Sequence, residues 1–210
     1  MTFRSRKLLD MANSGGGDDQ GRASGGMDGG RGQDVGVVDG NRKGKTCMSI
    51  FVGIDPGLTG AWAAINARGD VLVIHDLPTN LSGGKAAKIK NEISAAGLRE
   101  EFRLLRDRGE SVIAAVERTT SMPGQGVASM FSMGDTFGCI RAVLACMGIP
   151  AEFPSAAVWK RTLKLDSDKE RSRARALELF PDSAQYLARK KDHNRAEALL
   201  LAEWLRRRIS

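Results

Sequence analysis

The first strong pattern in the chain is a continuous apolar run, Ser49-Ile-Phe-Val-Gly-Ile54. A run this short, β-branched and closed by Asp55-Pro56-Gly57 predicts a strand buried on both faces. Ala61–Asn66 and Val71–Asp76 flank Ala67-Arg-Gly-Asp70, a hairpin signal. Three antiparallel strands therefore come first. Residues 79–90, rich in Gly, Lys and Ala, read as a loop. Leu98, Phe102 and Leu105 recur at helical spacing, and Gly109 ends that helix. Val112–Val116 repeats the buried-strand pattern and runs into Glu117. A loop over 118–126 follows, then a long helix over Val127–Met147 that is apolar on more than one side, then a short strand over Ala151–Phe153. Ser167 and Glu170 form a capping-box pattern that opens a basic helix ending before Pro181. Ala196–Leu205 predicts a strongly apolar helix, followed by Arg206-Arg207-Arg208.

The order βββ-α-β-α-β-α-α predicts an α/β fold. Its five-stranded mixed sheet has three antiparallel strands, then parallel strands, with flanking helices. If the first and fourth strands are parallel neighbours, Asp55 and Glu117 emerge at the same sheet end. Open α/β sheets build their ligand sites at such an end.

Residues 1–47 do not join this pattern. They hold about half of the chain's 25 glycines and almost no apolar clusters. Such a segment cannot bury enough surface to offset its ordering entropy, so we expect a disordered tail before a folded domain over 48–210. Met48 suits a start codon just before the first strand. Met1-Thr-Phe-Arg-Ser-Arg-Lys suits the opening of an organelle transit peptide, although Asp10, Asp18 and Asp19 follow early. Gly40-Asn-Arg-Lys-Gly-Lys-Thr46 imitates a phosphate-binding loop with three residues between its glycines, where that loop needs four.

Composition narrows the function. A formal charge of +7 and a pI of about 9.6 favour a polyanionic partner, nucleic acid first. Three cysteines do not make a disulfide framework, which points to a reducing, cytoplasmic compartment, or to an organellar nucleoid if the tail is a transit peptide. Cys139 and Cys146 are expected to pack within the long helix. No apolar run approaches the roughly 18 residues that cross a bilayer, so no membrane partner is expected.

The chemistry lies in the acids. A strand tip has little use for a buried carboxylate unless a cation or substrate compensates it. Asp55 and Glu117 end two strands. His193 and Glu197 stand four apart, on one face of a helix. Two Mg²⁺ ions about 3.5–4 Å apart can activate a water and stabilise the leaving oxygen of a phosphodiester. Asp55, Glu117, His193 and Glu197 are therefore candidate ligands for two Mg²⁺ ions, with Mn²⁺ also suitable, and Lys160 is a candidate for stabilising transition-state charge. Each residue has an ordinary role too: Asp55 as a turn initiator, Glu117 as a surface acid, His193 and Glu197 as an i,i+4 pair, Asp192 as a helix N-cap. Lys160, Arg161 and Lys164, then Lys169, Arg171, Arg173 and Arg175, then Arg189, Lys190 and Lys191 supply positive charge for phosphates.

Phe51-Val-Gly-Ile-Asp55-Pro-Gly-Leu-Thr-Gly60, Val116-Glu117 and Lys190-Lys-Asp-His193-Asn-Arg-Ala-Glu197-Ala-Leu-Leu resemble the RuvC-type Holliday junction resolvases, over about residues 48–208. Met122-Pro-Gly-Gln-Gly126 and Pro154-Ser155 through Trp159-Lys160 resemble the phage and prophage branch. The resemblance implies a ribonuclease H-like fold, a homodimer, and Mg²⁺- or Mn²⁺-dependent resolution of four-way DNA junctions with 5′-phosphate and 3′-hydroxyl ends. It carries the family's acids onto Asp55, Glu117 and Glu197, with His193 as fourth member. The helix over 127–147, with Met130, Phe131, Met133, Phe137 and Met147, is the expected dimer face. Two positions depart from the family: Asn194 stands where close relatives carry glycine, and Arg118-Thr-Thr120 where bacterial members carry an aromatic wedge. Two other readings share the fold, a catalytically silent branched-DNA-binding protein and a nuclease for RNA–DNA hybrids. An actin-like kinase needs two related domains and a longer chain.

Overall fold

The computed structural model describes residues 49–82, 90–108, 110–120 and 124–210. The chain divides into units 1–43 and 44–210. The expectations for the 1–47 tail, the phosphate-loop imitation, Met48 and Gly109 lie outside the described residues, as do parts of 79–90 and of the 122–126 motif.

Strand β1 (Ser49–Asp55) is the spine of the sheet. It pairs antiparallel with β2 (Ala61–Asn66), which pairs antiparallel with β3 (Val71–Asp76). On its other edge β1 pairs in parallel with β6 (Ser111–Val116), which pairs in parallel with the two-residue β7 (Ala151–Glu152). The order β3-β2-β1-β6-β7 is the expected five-stranded mixed sheet, three antiparallel strands and then parallel ones. Asn66 fixes the hairpin between β2 and β3: its side-chain oxygen accepts from the backbone N–H groups of Arg68 and Asp70 at 2.9 and 3.0 Å. Gly69 supplies the left-handed turn residue, with φ +91°.

One stretch differs from expectation. The segment over 79–90 is not simply a loop: β4 (Thr79–Ser82) pairs with β5 (Lys90–Ile93) as a separate two-stranded ribbon. Neither strand alternates apolar and polar residues, so the pairing leaves no periodic trace in the sequence.

The alternation of β1 divides the interior into two layers, with helices on both faces of the sheet. Ile50, Val52 and Ile54 pack with Leu98, Phe102 and Leu105 of α1 (Ala95–Arg106) and with Ile140, Val143 and Leu144 of α2 (Val127–Cys146). Phe51 faces the other way, toward Trp159 of α3 (Ala156–Thr162), Ala176 of α4 (Lys169–Leu179) and the apolar side of α5 (His193–Ile209). Helix α1 is N-capped by Ser94, whose hydroxyl accepts from Gly97 N at 3.2 Å.

Several helices differ in detail from what the sequence predicts. Helix α3 was not expected. The cap of α4 is Asp168 rather than Ser167; its side chain accepts from the backbone of Glu170 and Arg171. Helix α5 starts at His193, three residues before the apolar run, and its polar first turn, His193 to Arg195, is half-buried. Helix α2 is divided: Phe137 and Met147 pack against the core, while Val127 and Phe131 are 78% and 71% exposed. Cys139 packs at the core edge as expected, whereas Cys146 is exposed. Among the described residues, no helix is long and apolar enough to cross a membrane.

Candidate active site

The parallel pairing of β1 and β6 sets the first two carboxylates side by side. Ile54 stands opposite Val116, and Glu117 N donates to Ile54 O at 3.0 Å. Asp55 and Glu117 therefore leave adjacent strands at one sheet end. The turn beyond Asp55 is tight: Gly60 N donates to Gly57 O at 3.0 Å, and a Cβ on Gly60 would sit 2.2 Å from Asp55 O. Only glycine fits there.

The third carboxylate arrives through an unusually close contact. A Cβ on Gly53 would sit 2.1 Å from Ala198 O and 2.4 Å from Ala202 N. The missing side chain lets the α5 backbone lie directly on β1, and Glu197, one residue before Ala198, reaches the end of the strand. Helix α5 is further fastened at its start. Asn194 Nδ2 donates to Thr59 O at 2.6 Å, and Arg195 makes a two-pronged contact with Asp76, at 2.6 Å to each carboxylate oxygen. Asn194, the departure from the family pattern, thus ties the helix to the turn after Asp55.

Asp55 and Glu117 both feel neighbouring acids. Burial, then repulsion by Glu197 and Glu117, pushes the Asp55 carboxyl well above the usual aspartate range. Lys169 and Lys160 offset this only in part. Burial also raises Glu117, against a hydrogen bond from Trp159 that favours its charged form. Glu197 is buried, with 7% exposure. No hydrogen bond or ion pair reaches the Asp55 carboxylate among the described residues.

Two carboxylates do have partners. Trp159 Nε1 donates to Glu117 Oε2 at 2.8 Å. Lys160 Nζ donates to Glu197 Oε1 at 2.6 Å, and Ser172 Oγ lies 3.3 Å from the same oxygen. Lys160 therefore stands beside these acids, paired with Glu197. The donor chemistry suits a hard divalent ion, since three carboxylates converge and one lacks a partner among the described residues. Among those residues, however, no three His, Cys, Asp or Glu side chains stand in ligating arrangement. Trp159 and Lys160 each bond one oxygen of Glu117 and of Glu197, and the second oxygen of each has no hydrogen bond among the described residues.

His193 stands at the rim. Its Nε2 is 2.9 Å from Lys169 Nζ and its Nδ1 is 3.2 Å from Lys190 O. An ammonium can only donate and a carbonyl can only accept, so this geometry assigns the proton to Nδ1 and the lone pair to Nε2. Asp192 occupies the position before α5 yet makes no cap bond to it. Burial disfavours its charge, but bonds from the Arg189 side chain and backbone outweigh that and hold its carboxyl below the usual range.

The basic clusters divide into matched and unmatched charges. Arg171, Arg173 and Arg175 pair with Asp166, Glu170 and Glu178, and Arg189 pairs with Asp192. Arg161 and Lys164 carry no ion pair among the described residues. With Lys160, whose ammonium bonds Glu197, they line a cleft of about 510 Å³ whose walls include none of the three carboxylates. Lys164 adopts a left-handed backbone, φ +59°, which is uncommon outside glycine. Sequence reasoning missed Trp159 and Ser172 as partners of the acids; the one available signal was Ser155 ahead of Ala156-Ala-Val-Trp159, a helix start.

No protein-family model matches the chain, and no curated protein matches it. Among solved structures it is similar to Thermus thermophilus RuvC in complex with a Holliday junction substrate, with a TM-score of 0.43 and 15% identity over 74% of this chain and 91% of that one. A second structure of Thermus thermophilus RuvC gives a TM-score of 0.42 and 15% identity over 75% and 96%. A likeness this distant says nothing of the site, whose chemistry rests on its own side chains.

Proposed function

We propose that this protein is a divalent-metal-dependent endonuclease that resolves four-way DNA junctions, cutting phosphodiesters to leave 5′-phosphate and 3′-hydroxyl ends. One observation carries the reading: Asp55, Glu117 and Glu197 come from distant parts of the chain, and Asp55 is desolvated among like charges. That arrangement costs free energy in the protein alone, and a bound cation is what compensates it. The resemblance of the three sequence motifs to the RuvC-type resolvases is what narrows the reaction to junction resolution.

Asp55, Glu117 and Glu197 would hold the ions, Mg²⁺ or Mn²⁺. When bound, a pair of such ions supplies an activated water and charge stabilisation at the leaving oxygen. His193 presents the Nε2 lone pair to Lys169, and in the working site it accepts a proton or orients the attacking water. Arg161 and Lys164, without acidic partners among the described residues, hold backbone phosphates along the cleft. The protein works as a homodimer, joined through the exposed apolar start of α2, so that two equivalent strands are cut symmetrically.

The rival reading is a silent branched-DNA-binding protein. It draws on the pairing of Glu117 and Glu197 with Trp159 and Lys160, which structural acids also show. Incubation with a synthetic four-way junction, with Mg²⁺, with Mn²⁺ and with EDTA, decides between them; a linear duplex and an RNA–DNA hybrid are the comparisons. Paired cuts in the junction alone, lost in EDTA and in Asp55→Asn, are expected. Junction binding without cutting in either metal identifies the silent protein, and preferential hybrid cutting identifies a ribonuclease.

A further inference from the structure

Two of the three carboxylates are held by consecutive residues of one short helix. The Trp159 indole donates to Glu117 and the Lys160 ammonium to Glu197, at 2.8 and 2.6 Å. Both contacts are shielded. Trp159 is fully buried, and the Lys160 and Glu197 side chains keep only 13% and 8% exposure. Consecutive helical residues point about 100° apart, so one step of α3 bridges from the end of β6 to the start of α5. The Lys160 ammonium also lies 5.2 Å from the centre of the Trp159 ring, which favours a cation there.

We propose that Trp159 and Lys160 form an internal latch. Lys160 is the resident counter-ion of Glu197 and leaves that oxygen when a divalent cation enters, while Trp159 follows the movement of Glu117. This inference rests on the metal-site reading above. A shielded ion pair does not open without a replacement charge, because the carboxylate left behind would be buried and unpaired. Ammonium and metal ion therefore compete for Glu197. Linkage makes the competition reciprocal: the latch weakens ion binding as much as the ion weakens the latch.

Calorimetric titration of the full chain with Ca²⁺ alone, without DNA, tests the latch. Lys160→Met should bind Ca²⁺ about tenfold more tightly than wild type, a coupling of ordinary size. Lys160→Gln, which keeps a donor for Glu197, should gain less. Lys164→Met removes the same charge nearby without touching a carboxylate, and should change affinity by less than about twofold, because exposed charges are screened. Ca²⁺ should also shift tryptophan emission in wild type and not in Trp159→Phe, which retains Trp62 and Trp204. If Lys160→Met binds no more tightly than wild type, or Lys164→Met gains as much, the latch is overturned while the nuclease reading stands. Binding to none of the proteins overturns both. The expected ranking with no junction cleavage keeps the latch and removes only the nuclease. Should Lys160→Met unfold, the comparison of Lys160→Gln with wild type answers the same question.

Discussion

Asp55 makes the metal-free fold less stable than it could be. Below the ordinary aspartate value of 3.8 the side chain is neutral in both folded and unfolded chains. As the pH rises, the unfolded chain releases its proton first while the folded chain retains it, and this favours unfolding; the deficit is complete above the raised folded-state value. Asp55→Asn cannot ionise. In EDTA its melting temperature should exceed that of wild type by a margin that is small near pH 4 and grows toward neutrality, with each kcal/mol worth about 2–4 °C at this chain length. A margin independent of pH would show that Asp55 is not desolvated. Mg²⁺ should raise the melting temperature of wild type and leave Asp55→Asn nearly unmoved. Asp55 and Glu117 stood out because each closes an apolar run, and Glu197 because it follows His193 by four residues on one helix face. Their partners did not: Trp159 looks like core by residue type, and its bond to an acid 42 positions earlier has no local signature.

At the scale of elements, the contact between β1 and α5 carries the site. Gly53→Ala forces a methyl group against the backbone of Ala198 and Ala202, which side-chain rotation cannot relieve. Overpacking of this kind costs roughly 3 kcal/mol or more, and denaturant unfolding should show it as a lower midpoint at unchanged slope. Activity measured well below the midpoint should also fall, since Glu197 is displaced with the helix. An unchanged midpoint would mean that the helix can shift freely. The spine strand, the hairpin and the long helices were visible in the sequence through their periodicity. Helix α3 was not, because its seven residues offer too few turns for a pattern, and the β4–β5 ribbon was not, because its pairing is a matter of backbone rather than of buried faces.

The whole molecule makes two commitments that bulk measurements can check. If the proposed function holds, the charge of +7 makes phosphate contacts the dominant part of junction binding. Affinity should fall by about 10³-fold or more between roughly 50 and 200 mM salt, and a flat response would refute that mode. The second concerns the proposed dimer. Val127 and Phe131 expose an apolar start of α2. Sedimentation should give twice the 22.6 kDa chain mass for wild type and the single mass for Phe131→Glu, whose circular dichroism should be unchanged. A wild-type monomer would remove the dimer, and a Phe131→Glu dimer would move its interface elsewhere.

The fastening of α5 at Asn194 and Arg195 has a mechanical result. Both ties run to the antiparallel half of the sheet, at Thr59 and Asp76, whereas Glu117 stands on the parallel half. At its far end α5 is staked to that parallel half as well, where Arg208 pairs with Glu152 of β7 at 2.9 Å. The helix that carries Glu197 is thus pegged to both edges of the sheet, and a variant that cuts one peg leaves the other to hold it.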